Sequence, residues 1–240
     1  MQMLNHPPIT LRYFDARGRA QFLRYYLLTR GLRFTDERVP LSADFAAWRA
    51  MREDRSLAGP FQKLPVLLLG DQLVAETLPI AAFLHERLGD EASLSGEDNL
   101  RHVMLTSSVY QDVMLPLGIL LWSDIAFAGA DLRALATRTL ERLQQHLVAV
   151  ERTLLEWQWV ERARDRPVML ADCALWEELD VALRVFGAHL TLDATPGLAQ
   201  SYREFPARAA CEQLLRERPC PITARPGEAD AIAKIQALLS

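Results

Sequence analysis

The stretch "ITLRYFDARGRAQFLRYYLLTRG", Ile9 to Gly31, decides the fold. Ile9, Leu11 and Tyr13 alternate with Thr10, Arg12 and Phe14, the period of a strand. Ala20, Leu23, Leu27 and Leu28 then follow helical spacing, and Gly31 sits where a glycine ends a helix. Tyr13 therefore lies at the end of a strand, where an open α/β sheet presents its chemistry. Alone, it reads as a strand aromatic. Arg17, Gly18 and Arg19 directly behind it favour a working hydroxyl.

Outward from this unit, "RFTDERVPL" reads as a second strand and "ADFAAWRAMRED" as a short amphipathic helix. "LPVLLLGDQLVAE" reads as a hairpin, Val66–Leu69 and Gln72–Ala75 around a Gly-Asp turn. "TLPIAAFLHERLG" is a helix with Thr77 as N-cap, Pro79 in its first turn and Gly89 after its end. The order is β-α-β-α-β-β-α.

From there on the pattern is helical. "DNLRHVMLTSSVYQDVMLPLGILLW" is one long helical pattern with Pro116 as a kink. A face of leucines runs from Leu132 to Leu154, and Leu170–Phe186 is apolar all round and so buried. Shorter helices fit Pro196–Phe205, Ala207–Arg218 and the last turns of the chain. The change of texture predicts two domains, 1–90 and 97–240, joined near Asp90 to Gly96.

The 240 residues are half hydrophobic and carry a net charge of −4, which gives no electrostatic case for nucleic acid or anionic membranes. The N-terminal residues do not form a signal peptide, and apolar runs such as Val113–Trp122 are too short to span a bilayer. Cys173, Cys211 and Cys220 form no CxxC pair, and their odd count argues against a disulfide framework. The default location is cytoplasmic.

"YFDARGRAQFLRYYL", "FQKLPVLLLGDQLVAETLPIAAFL" and "LADCALWEELD" stand in the order and spacing of the cytosolic glutathione transferases. The chain resembles the tyrosine-type classes (alpha, mu, pi, sigma) over nearly its whole length. That resemblance implies a thioredoxin-like α/β N-terminal domain and an all-α C-terminal domain, a homodimer, glutathione as co-substrate, no metal, and a small apolar electrophile as second substrate. It implies that Tyr13 activates the glutathione sulfur and that Arg19 helps hold it ionised. It makes Pro65 a cis-proline that turns the Leu64 main chain towards the cysteinyl part of the peptide. Glu76 and Thr77 would meet the γ-glutamyl end, and Trp48, Arg52 and Lys63 the glycyl carboxylate. The electrophile would lie between Tyr13–Phe14 and the helix around Met114.

The chemistry agrees with these assignments. A free thiol has a pKa of about 8.5, so it is mostly protonated at neutral pH. A hydroxyl donating to the sulfur favours the thiolate. No cysteine or serine near the end of strand one competes for this role.

The sequence also departs from the family. Glu76 replaces a glutamine found in several members. The segment from Trp48 to Pro65 is longer. An aspartate that reaches the partner's glutathione in many members has its counterpart near Tyr110 to Asp112. Met169 replaces the hydroxyl residue that opens the buried helix, which leaves half of a capping box with Asp172 and predicts an open donor there. Three activities stay open: transferase, glutathione-dependent isomerase, and a non-catalytic binding or scaffold module.

Overall fold

The computed structural model describes residues 7–42, 44–88, 96–127, 129, 131–163, 165–208 and 221–240. Its strands are β1 (Ile9–Phe14), β2 (Phe34–Val39), β3 (Val66–Leu69) and β4 (Gln72–Ala75). They form one sheet in the order β2-β1-β3-β4. β1 and β2 are parallel, with Tyr13 opposite Arg38, whereas β1–β3 and β3–β4 are antiparallel. A parallel pair needs a crossover. Here it is α1 (Gln21–Thr29), which packs Phe22, Leu23 and Leu27 into the core and ends at Gly31 with φ +66°.

Between β2 and β3 lie α2 (Ala46–Met51) and α3 (Arg55–Ala58). The second of these is an addition to the expected order. Asp54 caps it, its carboxylate accepting from the Ser56 N–H at 2.9 Å. α4 (Thr77–Leu88) follows the hairpin. The cap lies one residue earlier than expected, because the Glu76 carbonyl accepts from the Ile80 N–H at 2.9 Å. Thr77 is thus the first helical residue.

The described residues from 96 onward contain helices only. α5 (Gly96–Val109) passes through a π-helical turn, Tyr110–Met114, into α6 (Leu115–Ala126). Pro116 has no N–H to return to the preceding turn, so the ladder is broken where a kink was expected. As one helix, Gly96–Ala126 is long and apolar enough to cross a membrane, which the separate runs were not. In this fold it packs against α7 (Leu132–Glu156) and α9 (Leu170–Phe186). Asp131 caps α7 by accepting from the Ala134 N–H at 3.0 Å.

α8 (Trp159–Ala163), α10 (Pro196–Arg208) and α11 (Glu228–Leu239) complete the helices. The expected domain junction, Gly89 and most of the helix Ala207–Arg218, with Cys211 and Cys220, lie outside the described residues.

α9 is buried almost along its whole length, including Glu177, Glu178 and Asp180. Its N-terminus corrects one expectation. The Asp172 N–H already donates to the Met169 carbonyl at 3.1 Å, and the Asp172 carboxylate accepts from the Met169 N–H at 2.9 Å. Met169 leaves no open donor there and is itself packed in the core. Cys173 beside it is fully buried, as core. The sheet and α1–α4 make a thioredoxin-like half, and α5–α11 an all-α half.

Candidate active site

β1 is one of the two inner strands, and its last residues deliver Tyr13 to the seam between the sheet and the helical half. The Tyr13 ring is 8% exposed and packs edge-on to Phe14, with the Arg24 guanidinium 5.9 Å from its centroid. Its hydroxyl accepts a hydrogen bond from the Arg19 N–H at 3.1 Å. Burial raises its pKa above the ordinary phenol value, and the Arg19 N–H only partly offsets this. Tyr13 is therefore a neutral hydroxyl with its own proton to donate. It is the backbone of Arg19 that touches Tyr13, while the Arg19 side chain is exposed at the wall of the adjoining cavity.

That cavity has a volume of about 490 Å³. Tyr13, Phe14 and Arg19 form one side. Met114, at the π turn where the helix wall was expected, and Trp122 on α6 form the second. The rest was not anticipated: Glu178 and Val181 come from α9, and Ile222–Ala224 from the segment before α11.

This terminal segment is tied down from three directions. The Arg17 and Gly18 N–H groups donate to the carbonyls of Pro221 and Ile222 at 2.8 and 2.7 Å. The Glu228 carboxylate accepts from the N–H groups of Ile222 and Thr223. Arg225 pairs with Asp124 of α6 at 3.0 Å.

Arg17 holds the loop from below. Its guanidinium is 2% exposed and donates to both oxygens of Glu177, at 3.0 and 2.7 Å, and lies 2.7 Å from Asp180. The bidentate pair fixes the turn between β1 and α1 against α9. The acidic run Glu177-Glu178-Leu179-Asp180, inside an otherwise apolar helix, was the signal for it.

The expected peptide-binding residues lie as follows. The Leu64–Pro65 peptide is cis, as the resemblance implied, and both residues are buried just before β3. Glu76 has φ +74°, a conformation unusual for a side chain, which such sites often hold. Thr77 is 1% exposed, and its hydroxyl is buried with no hydrogen-bond partner among the described residues. Trp48 of α2 meets the Phe14 ring edge-on at 5.6 Å. Arg52 is exposed and pairs with its neighbour Glu53 at 3.0 Å, and Lys63 is exposed. Asp112 is exposed in the π turn, 4.0 Å from His146. Among the described residues no group of His, Cys, Asp or Glu could hold a metal ion.

No family model matches the chain. It is 30% identical over 93 residues to a glutathione S-transferase of Plasmodium falciparum, and 34% over 84 residues to S-crystallin SL20-1 of Nototodarus sloanii. The matched stretches cover 38% and 35% of this chain but only 41% and 34% of those relatives.

Solved structures align along most of the chain. Monomeric Na-GST-3 of Necator americanus superposes with a TM-score of 0.70 at 21% identity, over 88% of this chain and 97% of that one. Rat hPGDS complexed with a quinoline gives 0.68 at 22%, over 90% and 100%. Fasciola hepatica sigma class GST gives 0.68 at 19%, over 90% and 98%. With Tyr13 at its strand end and the cis peptide before β3, the chain resembles the cytosolic glutathione transferases in sequence and has their fold.

Proposed function

We propose that this protein is a glutathione transferase that adds the glutathione thiolate to small apolar electrophiles. The observation that carries the reading is a buried, neutral Tyr13 hydroxyl on the wall of an apolar cavity. The hydroxyl already accepts from the Arg19 N–H, so its proton is free to stabilise a sulfur anion. The peptide would lie along Leu64 towards the N-terminus of α4. There the partnerless Thr77 hydroxyl and the helix dipole suit a carboxylate, and Glu76 an ammonium. Trp48, Arg52 and Lys63 would form the far end of this cleft.

The test is retention on immobilised glutathione followed by conjugation of chlorodinitrobenzene. Tyr13→Phe deletes one charge-assisted hydrogen bond worth about 1.5–3 kcal/mol, so kcat falls roughly ten- to a hundredfold while KM for glutathione changes little. Equal rates for parent and variant at about pH 6.5, where little free thiol is ionised, remove Tyr13 from the reaction.

The likeness to an S-crystallin favours a second reading, a non-catalytic module, which glutathione retention without conjugation would select. A glutathione-dependent isomerase would return the thiol unchanged, and product analysis separates it. A second copy of the chain would cover the exposed apolar face of α5 formed by Leu100, Val103 and Met104. Light scattering at the mass of one chain rules that dimer out.

A further inference from the structure

The cavity beside Tyr13 holds a second polar group to which nothing in the peptide-binding scheme gives a role. Glu178 lines it from α9, one turn from Val181 on the same helix face. The side chain is 1% exposed, and among the described residues neither carboxyl oxygen has a hydrogen-bond partner. The nearest cation is already committed, since Arg17 is shared between Glu177 and Asp180. The other polar groups of the wall are occupied or peripheral. The Thr223 hydroxyl donates to Glu228 at 2.9 Å, and Arg19 is exposed. Burial, then the neighbouring Glu177 charge, lifts the Glu178 carboxyl well above the usual carboxylate range, against the weaker pull of Arg17. An apolar cavity thus contains a carboxylic acid with a proton and nothing to give it to. Such a group is costly to leave unpaired and selective for a ligand that pairs it.

We infer that Glu178, as a carboxylic acid, is a second hydrogen-bond donor of this cavity beside Tyr13, and that it holds and protonates the carbonyl oxygen of a conjugated ketone or aldehyde whose β-carbon takes the sulfur. The reaction rests on the transferase reading above; the carbonyl recognition does not. The step balances. The thiolate sulfur bonds to the β-carbon, and the carbon–carbon π pair shifts to make an enolate. The enolate oxygen then takes the Glu178 proton. The proton released when glutathione ionised restores Glu178 through water, and the enol returns to the ketone by moving its proton to the α-carbon. The net change is one S–C and one C–H bond formed, with no leaving group.

Glu178→Met removes the donor at similar volume, and Glu178→Gln keeps an N–H donor without a transferable proton. The first readout is kcat/KM for benzylideneacetone divided by that for chlorodinitrobenzene, which needs no proton on a carbonyl. This ratio falls about ten- to a hundredfold in Glu178→Met and less in Glu178→Gln. The second readout needs no glutathione. With Tyr13→Phe as the background in both proteins, so that no phenol donates, the infrared carbonyl band of bound cyclohexyl phenyl ketone moves to lower frequency where Glu178 is present, and in Glu178→Met stays where it lies in hydrocarbon. A ratio within twofold of the parent in Glu178→Met, or the same band position in both proteins, overturns the proposal. If the parent conjugates neither substrate, the transferase reading falls while the band position still decides the donor. Removing an unpaired buried acid raises the melting temperature of both variants. A lower melting temperature in both would show that Glu178 has a partner in the protein and would likewise overturn it.

Discussion

Gly18 sets where the Tyr13 hydroxyl can be. Its φ is +38°, and a Cβ built on it would lie 2.5 Å from the hydroxyl oxygen and 2.9 Å from the ring Cε1. No side chain fits without moving the phenol, and the loop cannot yield, because the Gly18 N–H is anchored to the Ile222 carbonyl. Gly18→Ala is therefore expected to cut kcat by at least as much as Tyr13→Phe, roughly ten- to a hundredfold, with a stability loss of about 1–2 kcal/mol. The double variant Gly18→Ala with Tyr13→Phe should be little slower than the slower single one, since both act on one hydroxyl. Steady-state kinetics on the three proteins checks this, and an active Gly18→Ala would show that the hydroxyl tolerates displacement. The glycine between two arginines was visible in the sequence. Its steric reason was not, because a ring five positions away touches it only once the strand has turned.

α9 meets the loop after β1 through a cation buried between two carboxylates. Arg17→Met would leave Glu177 and Asp180 without it, at 0% and 6% side-chain exposure, and should cost about 3–5 kcal/mol by urea melts. Adding Glu177→Leu should restore part of the loss; if it restores none, the pair is not the source of the cost. This scale also shows what a sequence can carry. The hairpin Val66–Ala75 and the helix Leu170–Phe186 were legible to the residue, because period, turn chemistry and length are local signals. α3 was too short to show a period, and the cap of α4 moved by one residue because Glu76 adopts a positive φ that its type disfavours. The Arg17–Glu177 pair spans 160 positions and has no local signature beyond an acidic run in an apolar helix. The same run contained Glu178, so the chemistry of the cavity was half written in the residues that fitted the helix least.

At the scale of the molecule, stability depends on pH through a group far from the cavity and through one that lines it. His102 is 2% exposed, its Nδ1 accepts from the Ala171 N–H at 3.3 Å, and its ring lies 4.2 Å from His85. Burial, then His85, pushes its pKa down to about 3. In the unfolded chain it is about 6.5, so below that pH the unfolded state binds a proton that the folded one refuses. The His102 contribution is whole above about pH 6.5 and is lost towards pH 3, about 2–3 kcal/mol by pH 4.5. His102→Asn keeps an acceptor for Ala171 and removes the titration. Urea midpoints between about pH 6.5 and 4.5 should therefore fall less steeply than in the parent. Glu178 acts with the opposite sign: its raised pKa favours the folded state at low pH and the benefit fades as pH rises, so Glu178→Gln should stabilise more at about pH 7 than at pH 4. The strap of Pro221 and Ile222 has a consequence in time. The loop that positions Tyr13 hydrogen-bonds to carbonyls roughly 200 residues further on, and a ribosome adding about 5–20 residues per second needs on the order of 10–40 s to supply them. During that interval the emerging sheet carries Tyr13 without the carbonyls that hold its loop, so the tyrosine is aimed only after residues 221 and 222 have been made and have folded back onto it.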